Sequence, residues 1–182
     1  MPSFKFTYTM LLAVFTTLVS AQTPPGNGTV PVDGPVPGNG TLPGTVINFN
    51  GNTTKALGIS TKSELQNGTP VIITNATPDG TTQRWIINHG PTKVKLVLNS
   101  SREFCLSSGG DFVIDGVLVG VDECFDNVAH QEWTYTDDNR LVVKGKTFCL
   151  DLPDGNTTEG RNLQLWTCFA GNTNQIWTVP SA

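Results

Sequence analysis

The apolar residues of this 182-residue chain fall into short runs from residue 45 onward. Each run is bounded by Gly, Pro, Asn or Asp, which is typical of strands joined by turns. No stretch keeps a 3.6-residue apolar period with helix caps. The pattern therefore predicts an all-β domain at 45–182. The predicted strands are 46–49, 71–73, 85–87, 94–98, 117–119, 141–143 and 163–166.

A three-residue motif, Gln-x-Trp, divides this domain into repeats. It occurs at 83–85, 131–133 and 175–177, so its copies are separated by steps of 48 and 44 residues. Recurrence at such a period indicates a repeated structural unit of about 45 residues. The three predicted repeats are residues 45–91, 92–137 and 138–180, to within a few residues.

All four cysteines keep the phase of the repeats. Cys105 and Cys149 are 44 residues apart, and so are Cys124 and Cys168. This phasing predicts one disulfide within each of the last two repeats, Cys105 with Cys124 and Cys149 with Cys168, each contributing on the order of 3 kcal/mol. A zinc site is the alternative, but the short Cys-x-x-Cys spacing that zinc sites use is missing.

The first repeat is the least regular. It has Ala56-Leu57 where the others have Cys-Leu, and Asn75 stands near the second cysteine position. A unit of this size holds about four short strands and cannot bury its own apolar face. Three copies around a pseudo-threefold axis solve this problem, and the predicted fold is a β-trefoil.

The N-terminal region has a different composition. Lys5, the apolar run 10–15 and the small residues at 19–21 predict a secretory signal peptide at 1–21. The run is too short for a membrane span, which needs about 20 apolar residues, so no membrane insertion is expected. Residues 22–44 are rich in Pro, Gly, Thr and Asn and predict a disordered linker. We therefore expect a secreted, extracellular protein.

Seven Asn-x-Ser/Thr triplets are candidate N-glycosylation sites. Their number exceeds what the composition predicts and favours a secreted glycoprotein, although a Thr-rich surface would also produce such triplets. The acceptors are Asn27, Asn39, Asn52, Asn67, Asn75, Asn99 and Asn156.

The charge of the chain argues against two classes of partner. The formal net charge is −4, and loss of Lys5 with the signal peptide leaves −5. No basic cluster is present, so neither nucleic acid nor an anionic membrane is an expected partner. The chain also lacks the motifs of serine hydrolases, zinc proteases and phosphate-binding loops, so we expect no enzyme and no cofactor. A carboxylate pair for glycoside hydrolysis stays open, because such pairs assemble in space.

The repeats resemble a known family. Three Gln-x-Trp units, with Cys-Leu-Asp at 149–151 and Gln-Leu-Trp-x-Cys at 164–168, are similar to the ricin B-chain type lectin domain, also called carbohydrate-binding module family 13. The resemblance covers roughly residues 45–180. It implies a β-trefoil whose repeats hold shallow pockets for sugars, typically galactose or N-acetylgalactosamine, so glycans are the expected partners.

The four tryptophans divide into two groups. Trp85, Trp133 and Trp177 recur in phase, which predicts core packing, with the Gln of each motif bonding to backbone where the repeats meet. Trp166 has no counterpart, because Asp122 stands one step earlier in the second repeat. A residue that the fold requires would recur, so we predict that Trp166 contacts a ligand.

The resemblance assigns sugar-binding positions in the third repeat. Asp151 and Asn174 are expected to hold sugar hydroxyls, and Trp166 is expected to stack on the apolar face of the ring. Gln164 and Gln175 are supporting positions, with Gln175 the more structural of the two. A turn before Leu-Pro-Asp-Gly is the alternative role for Asp151.

The other two repeats depart from this pattern, and we predict that neither binds a galactose-type ligand. In the second repeat, the positions of Asp151, Gln164, Trp166 and Asn174 are held by Ser107, Gly120, Asp122 and His130. In the first repeat, Gly58 stands at the position of Asp151, about Ile73 at that of Trp166, and Thr82 at that of Asn174. Two other functions stay open: a protein-binding β-trefoil such as a protease inhibitor, and a carbohydrate-targeting module without galactose specificity.

Overall fold

The computed structural model describes residues 44–77, 80 and 82–180. The predicted signal peptide and all but the last residue of the predicted linker lie outside this part of the chain. Within it, no helix has the length and apolar character needed to cross a membrane.

Short antiparallel strands account for most of the regular structure, as the apolar pattern predicts. In the described residues, three 3-10 helices follow or connect strands: Ala129–Gln131, Pro153–Gly155 and Thr173–Gln175. The strands in the described residues are β1 (Thr45–Val46), β2 (Asn48–Phe49), β3 (Asn52–Ile59), β4 (Thr69–Asn75), β5 (Arg84–Ile86), β6 (Gly90–Thr92), β7 (Lys95–Leu96), β8 (Phe104–Ser107), β9 (Gly120–Glu123), β10 (Trp133–Tyr135), β11 (Leu141–Val143), β12 (Phe148–Asp151), β13 (Gln164–Thr167) and β14 (Trp177–Thr178).

The strand pairing closes the three repeats into a ring. The Gln-x-Trp strand of each repeat pairs with an early strand of the next repeat: β5 with β7, β10 with β11, and β14 with β2. The last of these pairs joins the C-terminal repeat to the first. The chain is therefore a β-trefoil, as predicted.

The recurring tryptophans form the centre of the core. Trp85, Trp133 and Trp177 are fully buried, and their indole Nε1 atoms donate to the carbonyl oxygens of Leu57, Leu106 and Leu150 at 3.0, 2.9 and 3.0 Å. Each bond satisfies the one polar atom of a large apolar side chain. The predicted core role of these residues is confirmed.

The Gln of the motif bonds to backbone, but not where repeats meet. In the third repeat, Gln175 accepts from the Phe169 amide at 3.1 Å and donates to the Thr167 carbonyl at 3.0 Å. Both partners flank Cys168 in the same repeat. Gln83 and Gln131 make the corresponding pairs of bonds. The prediction of a role between repeats was wrong, because the side chain braces the turn after its own hairpin.

Both predicted disulfides are present, with Cα–Cα distances of 5.1 Å. They occupy all four cysteines and leave no thiolate for the alternative zinc site. In the first repeat Ala56 takes the first cysteine position, since it pairs with Asn48 as Cys105 pairs with Lys95. The second position belongs to Ala76 and not to Asn75, because Ala76 donates to the Thr54 carbonyl as Cys124 does to Glu103.

One loop of each repeat contacts the hairpin of a neighbouring repeat. Gly68, Gly116 and Gly160 have positive φ values of 80, 88 and 84° and donate to carbonyls of another repeat at 3.0, 2.8 and 2.9 Å. A glycine adopts this conformation without steric cost. The second-repeat loop, residues 108–119, makes this contact with β13. The strand predicted at 117–119 does not form; Leu118 and Gln164 form an isolated bridge instead.

Candidate functional site

The β12–β13 hairpin of the third repeat sets the spacing of the predicted site. Asp151 pairs with Gln164, and Cys149 pairs with Trp166. Because paired residues and residues two apart share a face of the ladder, Asp151, Gln164 and Trp166 lie on one side. Leu150 and Leu165 on the other side are fully buried in the core. The same alternation that builds the core thus presents three polar or aromatic side chains on the outer face.

Asp151 is a buried carboxylate held by amides. It is 3 % exposed; Oδ1 accepts from Gln164 Nε2 at 3.0 Å and Oδ2 accepts from Asn172 Nδ2 at 3.4 Å. Burial raises the pKa of this carboxyl above its usual value, while the hydrogen bonds from Gln164 and Asn172 oppose that rise. The predicted alternative, a carboxylate that only sets a turn, does not account for its side-chain amide partners.

The 3-10 helix Thr173–Gln175 brings Asn174 to the site. Asn172 caps this helix, since its Oδ1 accepts from the Asn174 amide at 3.0 Å. The Asn174 carbonyl in turn accepts from the Leu152 amide at 3.0 Å, which ties the helix to the end of β12. Asn174 lines the pocket, and no hydrogen bond joins its side-chain amide to another described residue, so the amide is available to a ligand.

These residues line a pocket of about 310 Å³, here called the third-repeat pocket. Trp166 stands in its wall with 38 % of its surface exposed, whereas the motif tryptophans have none. At the rim, Arg161 Nη2 lies 3.4 Å from Asp154 Oδ2. The lining residues are Asp151, Pro153, Asp154, Arg161, Gln164, Trp166, Asn172 and Asn174.

Four of the five sequence-predicted residues therefore come together in this pocket. Gln175 does not line it: the side chain is fully buried and its amide atoms are bonded to backbone. It supports the site by fixing the turn that carries Asn174, in line with the structural role favoured for it.

Pro153, Asp154, Arg161 and Asn172 were not predicted as site residues. Asp154 and its neighbour Gly155 form a turn, with φ values of 58 and 62°. That turn also places the Asp154 carboxylate at the rim. Asn172 carried a sequence signal, because an Asn three residues before the motif Gln is suited to cap the short helix.

The equivalent surfaces of the other repeats lack these groups. In the second repeat Ser107 replaces the carboxylate, and Asp122, at the aromatic position, accepts from the Gly68 amide at 2.8 Å. In the first repeat the counterpart of Trp166 is Thr74 and not Ile73, since Ala56 pairs with Thr74 across β3 and β4. Ile73 points into the core and is fully buried.

A larger cleft, of about 560 Å³, lies between the first and second repeats. Its walls include Ile59, Leu65, Leu98 and the Arg102 guanidinium, which lies 5.0 Å from the centre of the Phe104 ring. It presents no carboxylate and no exposed aromatic ring. This larger cleft therefore lacks the carboxylate and the exposed aromatic ring that the third-repeat pocket combines.

Comparison with known proteins agrees with the fold and the repeats. Residues 93–182 match the ricin-type beta-trefoil lectin domain family. This match spans the second and third repeats, which are the ones that keep the disulfides.

Solved structures of similar fold include a designed threefold symmetric protein, ThreeFoil, at 22 % identity and TM-score 0.62, covering 76 % of this chain and 98 % of that one. The earthworm R-type lectin C-half, solved with GalNAc, shares 17 % identity at TM-score 0.58, with coverage of 76 % and 98 %. The Macrolepiota procera ricin B-like lectin, solved with lactose, shares 20 % identity at TM-score 0.54, with coverage of 77 % and 96 %.

Proposed function

Residues 93–182 belong to the ricin-type β-trefoil lectin family, a family of carbohydrate-binding domains, and we propose that this protein is a secreted lectin for galactose or N-acetylgalactosamine-type glycans. Binding takes place in the third-repeat pocket, without catalysis. The observation that carries the proposal is the meeting of Asp151, Asn174 and the half-exposed Trp166 in one pocket of one repeat. The lectins solved with GalNAc and with lactose support the choice of sugar.

The pocket has the groups that a pyranose requires. The ring has an apolar face of C–H groups, which stacks on the Trp166 indole, and hydroxyls that need fixed partners. An ionised Asp151 accepts hydrogen bonds from two hydroxyls, while the free amide of Asn174 both donates and accepts. Gln164 holds the carboxylate in place at 3.0 Å. The site therefore selects a sugar that presents adjacent hydroxyls on one side and C–H groups on the other.

Secretion is supported by the leader-like sequence at 1–21 and by the two disulfides, since disulfides persist in oxidising compartments. Five candidate glycosylation sites, Asn52, Asn67, Asn75, Asn99 and Asn156, are exposed. Mass spectrometry of the protein from culture medium would test both points, with an N-terminus at Gln22 and glycan on these residues as the expected result. Retention of Met1 in an unprocessed, cell-associated chain would overturn the proposed secretion.

The affinity for one monosaccharide should be low. One stacking contact and a few hydrogen bonds that compete with water correspond to a Kd of about 1 mM, or about −4 kcal/mol. A glycan array with the full chain presented multivalently makes such binding visible. We expect signals confined to glycans with terminal galactose or N-acetylgalactosamine.

Replacing Trp166 by alanine tests the location of the site. The Trp166→Ala variant should lose about tenfold or more in affinity, because the stacking surface is removed. Phe169→Ala is the matched control: it removes an aromatic side chain of 55 % exposure that lies three residues away and outside the pocket. Equal losses in both variants would contradict a site at Trp166. Array signals restricted to other sugars would instead identify a carbohydrate module without galactose specificity.

Binding should weaken in acid before the fold is lost. The ionised Asp151 is the hydroxyl acceptor, and burial raises its pKa; affinity therefore falls as the pH drops through that raised pKa, above the usual Asp value of about 3.9. The stability change has the opposite sign. Because the folded-state pKa lies above the unfolded one, this residue's contribution to stability decreases as the pH rises between the two values. Sugar titrations followed by NMR, with melting curves at each pH, would separate the effects. Simultaneous loss of both would contradict this prediction.

A further inference from the structure

Three large apolar side chains are exposed in the second-repeat loop. Phe112, Ile114 and Leu118 are 97, 69 and 54 % exposed. None of them contributes to the core, so the fold gives no reason for their apolar character. Isolated exposed apolar residues are ordinary, but a group of them beside a ligand pocket indicates a binding surface.

The loop lies directly beside the third-repeat pocket. Leu118 forms a bridge with Gln164, so the two residues share a face of the sheet. Closer to the loop tip, Gly116 donates to the Leu165 carbonyl at 2.8 Å, and the Asp115 carboxylate accepts from the Thr167 amide at 2.5 Å. These two bonds lie on either side of Trp166 in the chain. The loop is thereby held along the edge of the strand that carries the stacking residue.

Gly116 places no side chain between the loop and the strand that carries Trp166. A Cβ built on this residue would meet no atom within 4 Å. A group that extends from a bound sugar across this strand edge would meet no side chain of Gly116. Ile114 and Leu118, two residues away on either side, are the apolar side chains that it would meet first.

The corresponding loops of the other repeats differ at the tip. The steps of 48 and 44 residues place Glu64 and Asn156 at the position of Phe112, and Gln66 and Thr158 at the position of Ile114. Those two loops adjoin hairpins that have Asp122 or Thr74 in place of Trp166. Neither hairpin has a carboxylate at the position of Asp151. The apolar tip thus occurs only in the loop next to the complete pocket, which indicates a role shared with that pocket.

We propose that Ile114 and Leu118, with Phe112 at the loop tip, form an apolar subsite for a neutral, hydrophobic aglycone joined to the sugar in the third-repeat pocket. This inference rests on the proposed function. A second copy of the chain is a less suitable occupant, since a stable interface buries roughly 800 Å² per partner and three side chains fall short of that. Asp111 and Asp115 in the same loop disfavour an anionic group.

The test compares two galactosides that differ only in the aglycone. Calorimetric titration of the full chain should give about tenfold tighter binding for 4-nitrophenyl galactoside than for methyl galactoside, the gain expected from burying one aromatic ring. In the double variant Ile114→Thr/Leu118→Asn, which installs the residues that the third-repeat loop has at these positions, the preference should fall to about twofold or less. Ile86→Thr, at a residue of 44 % exposure outside both surfaces, is the matched control and should keep the full preference.

Four results would overturn the subsite. Equal affinities for the two galactosides would overturn it, and so would a preference that survives in the double variant. In both cases, binding of methyl galactoside still supports the lectin function. A dimer of the native chain that dissociates in the double variant, measured by sedimentation velocity, would assign the surface to self-association. Failure of the folded chain to bind either galactoside would overturn the proposed galactose function and the subsite together.

Discussion

The Trp177→Ala variant is expected to lose about 3–5 kcal/mol of unfolding free energy, the cost of removing a large buried aromatic side chain. Trp177 is fully buried, its Nε1 donates to the Leu150 carbonyl at 3.0 Å, and its ring centre lies 5.4 Å from that of Phe49. The last contact joins the third repeat to the first. Since small domains are stable by only about 5–15 kcal/mol, the loss threatens the folded state itself. Urea denaturation followed by far-UV circular dichroism measures it.

Two further variants make this prediction decisive. Trp166→Ala should change the unfolding free energy by less than about 0.5 kcal/mol, because the side chain is partly exposed and makes no hydrogen bond that the fold needs. Trp177→Phe keeps most of the apolar volume and loses the indole bond, so it should fold with a loss of about 1–2 kcal/mol. Equal destabilisation by Trp166→Ala and Trp177→Ala would refute the division of the tryptophans into core and site residues.

The fold was predictable because the repeats preserve the residues that the core requires. Trp85, Trp133 and Trp177 occupy equivalent buried positions, and an alternative residue there would leave a cavity. The same reasoning identified Trp166 by its lack of recurrence. A second periodic signal was overlooked: Gly68, Gly116 and Gly160 follow the same steps of 48 and 44, and each supports a left-handed turn at an equivalent loop.

The strands and the register were less predictable. β8 and β12 were recognised as cysteine motifs and not as strands, because Phe-Cys-Leu is followed by a polar residue that is buried in both cases, Ser107 and Asp151. The counterpart of Trp166 in the first repeat was misplaced by one residue, at Ile73, because the unequal steps leave the alignment undetermined without the strand pairing. One residue changes the face of a strand, and Thr74 is therefore the residue on the outer surface.

The pocket could be predicted only in part, because its wall comes from separate segments. Asp151, Gln164 and Trp166 belong to one hairpin and match a family motif. Asp154 and Arg161 lie on the connection between its strands, where no motif exists, and only the folded turn brings them to the rim. The position of the second-repeat loop beside Trp166 depends on pairing between repeats, which the sequence of either repeat does not reveal.

Replacing Asp151 by asparagine should separate function from stability. The substitution keeps the size and one acceptor oxygen but removes the charge that strengthens both hydroxyl bonds, each by about 1.4 kcal/mol. The affinity for a galactose-type sugar is expected to fall about 100-fold, which follows from those two losses. Competition for a galactose-coated surface measures it. Stability at neutral pH should change little, because two effects oppose each other: the buried charge, whose burial raises the pKa of this carboxyl, is removed, and one of its two amide hydrogen bonds is lost.

A control in the second repeat should show the reverse result. Asp122 stands at the position of Trp166, and its carboxylate accepts from the Gly68 amide at 2.8 Å. Asp122→Ala removes this bond between repeats and should lower the unfolding free energy by about 1 kcal/mol while sugar binding is retained. If Asp151→Asn instead destabilised the domain and left binding intact, Asp151 would be a structural carboxylate. Burial disfavours an ionised group at this position. The presence of a carboxylate there would then need an explanation other than ligand binding. With the expected result, the buried charge is a stability cost that the fold carries for binding.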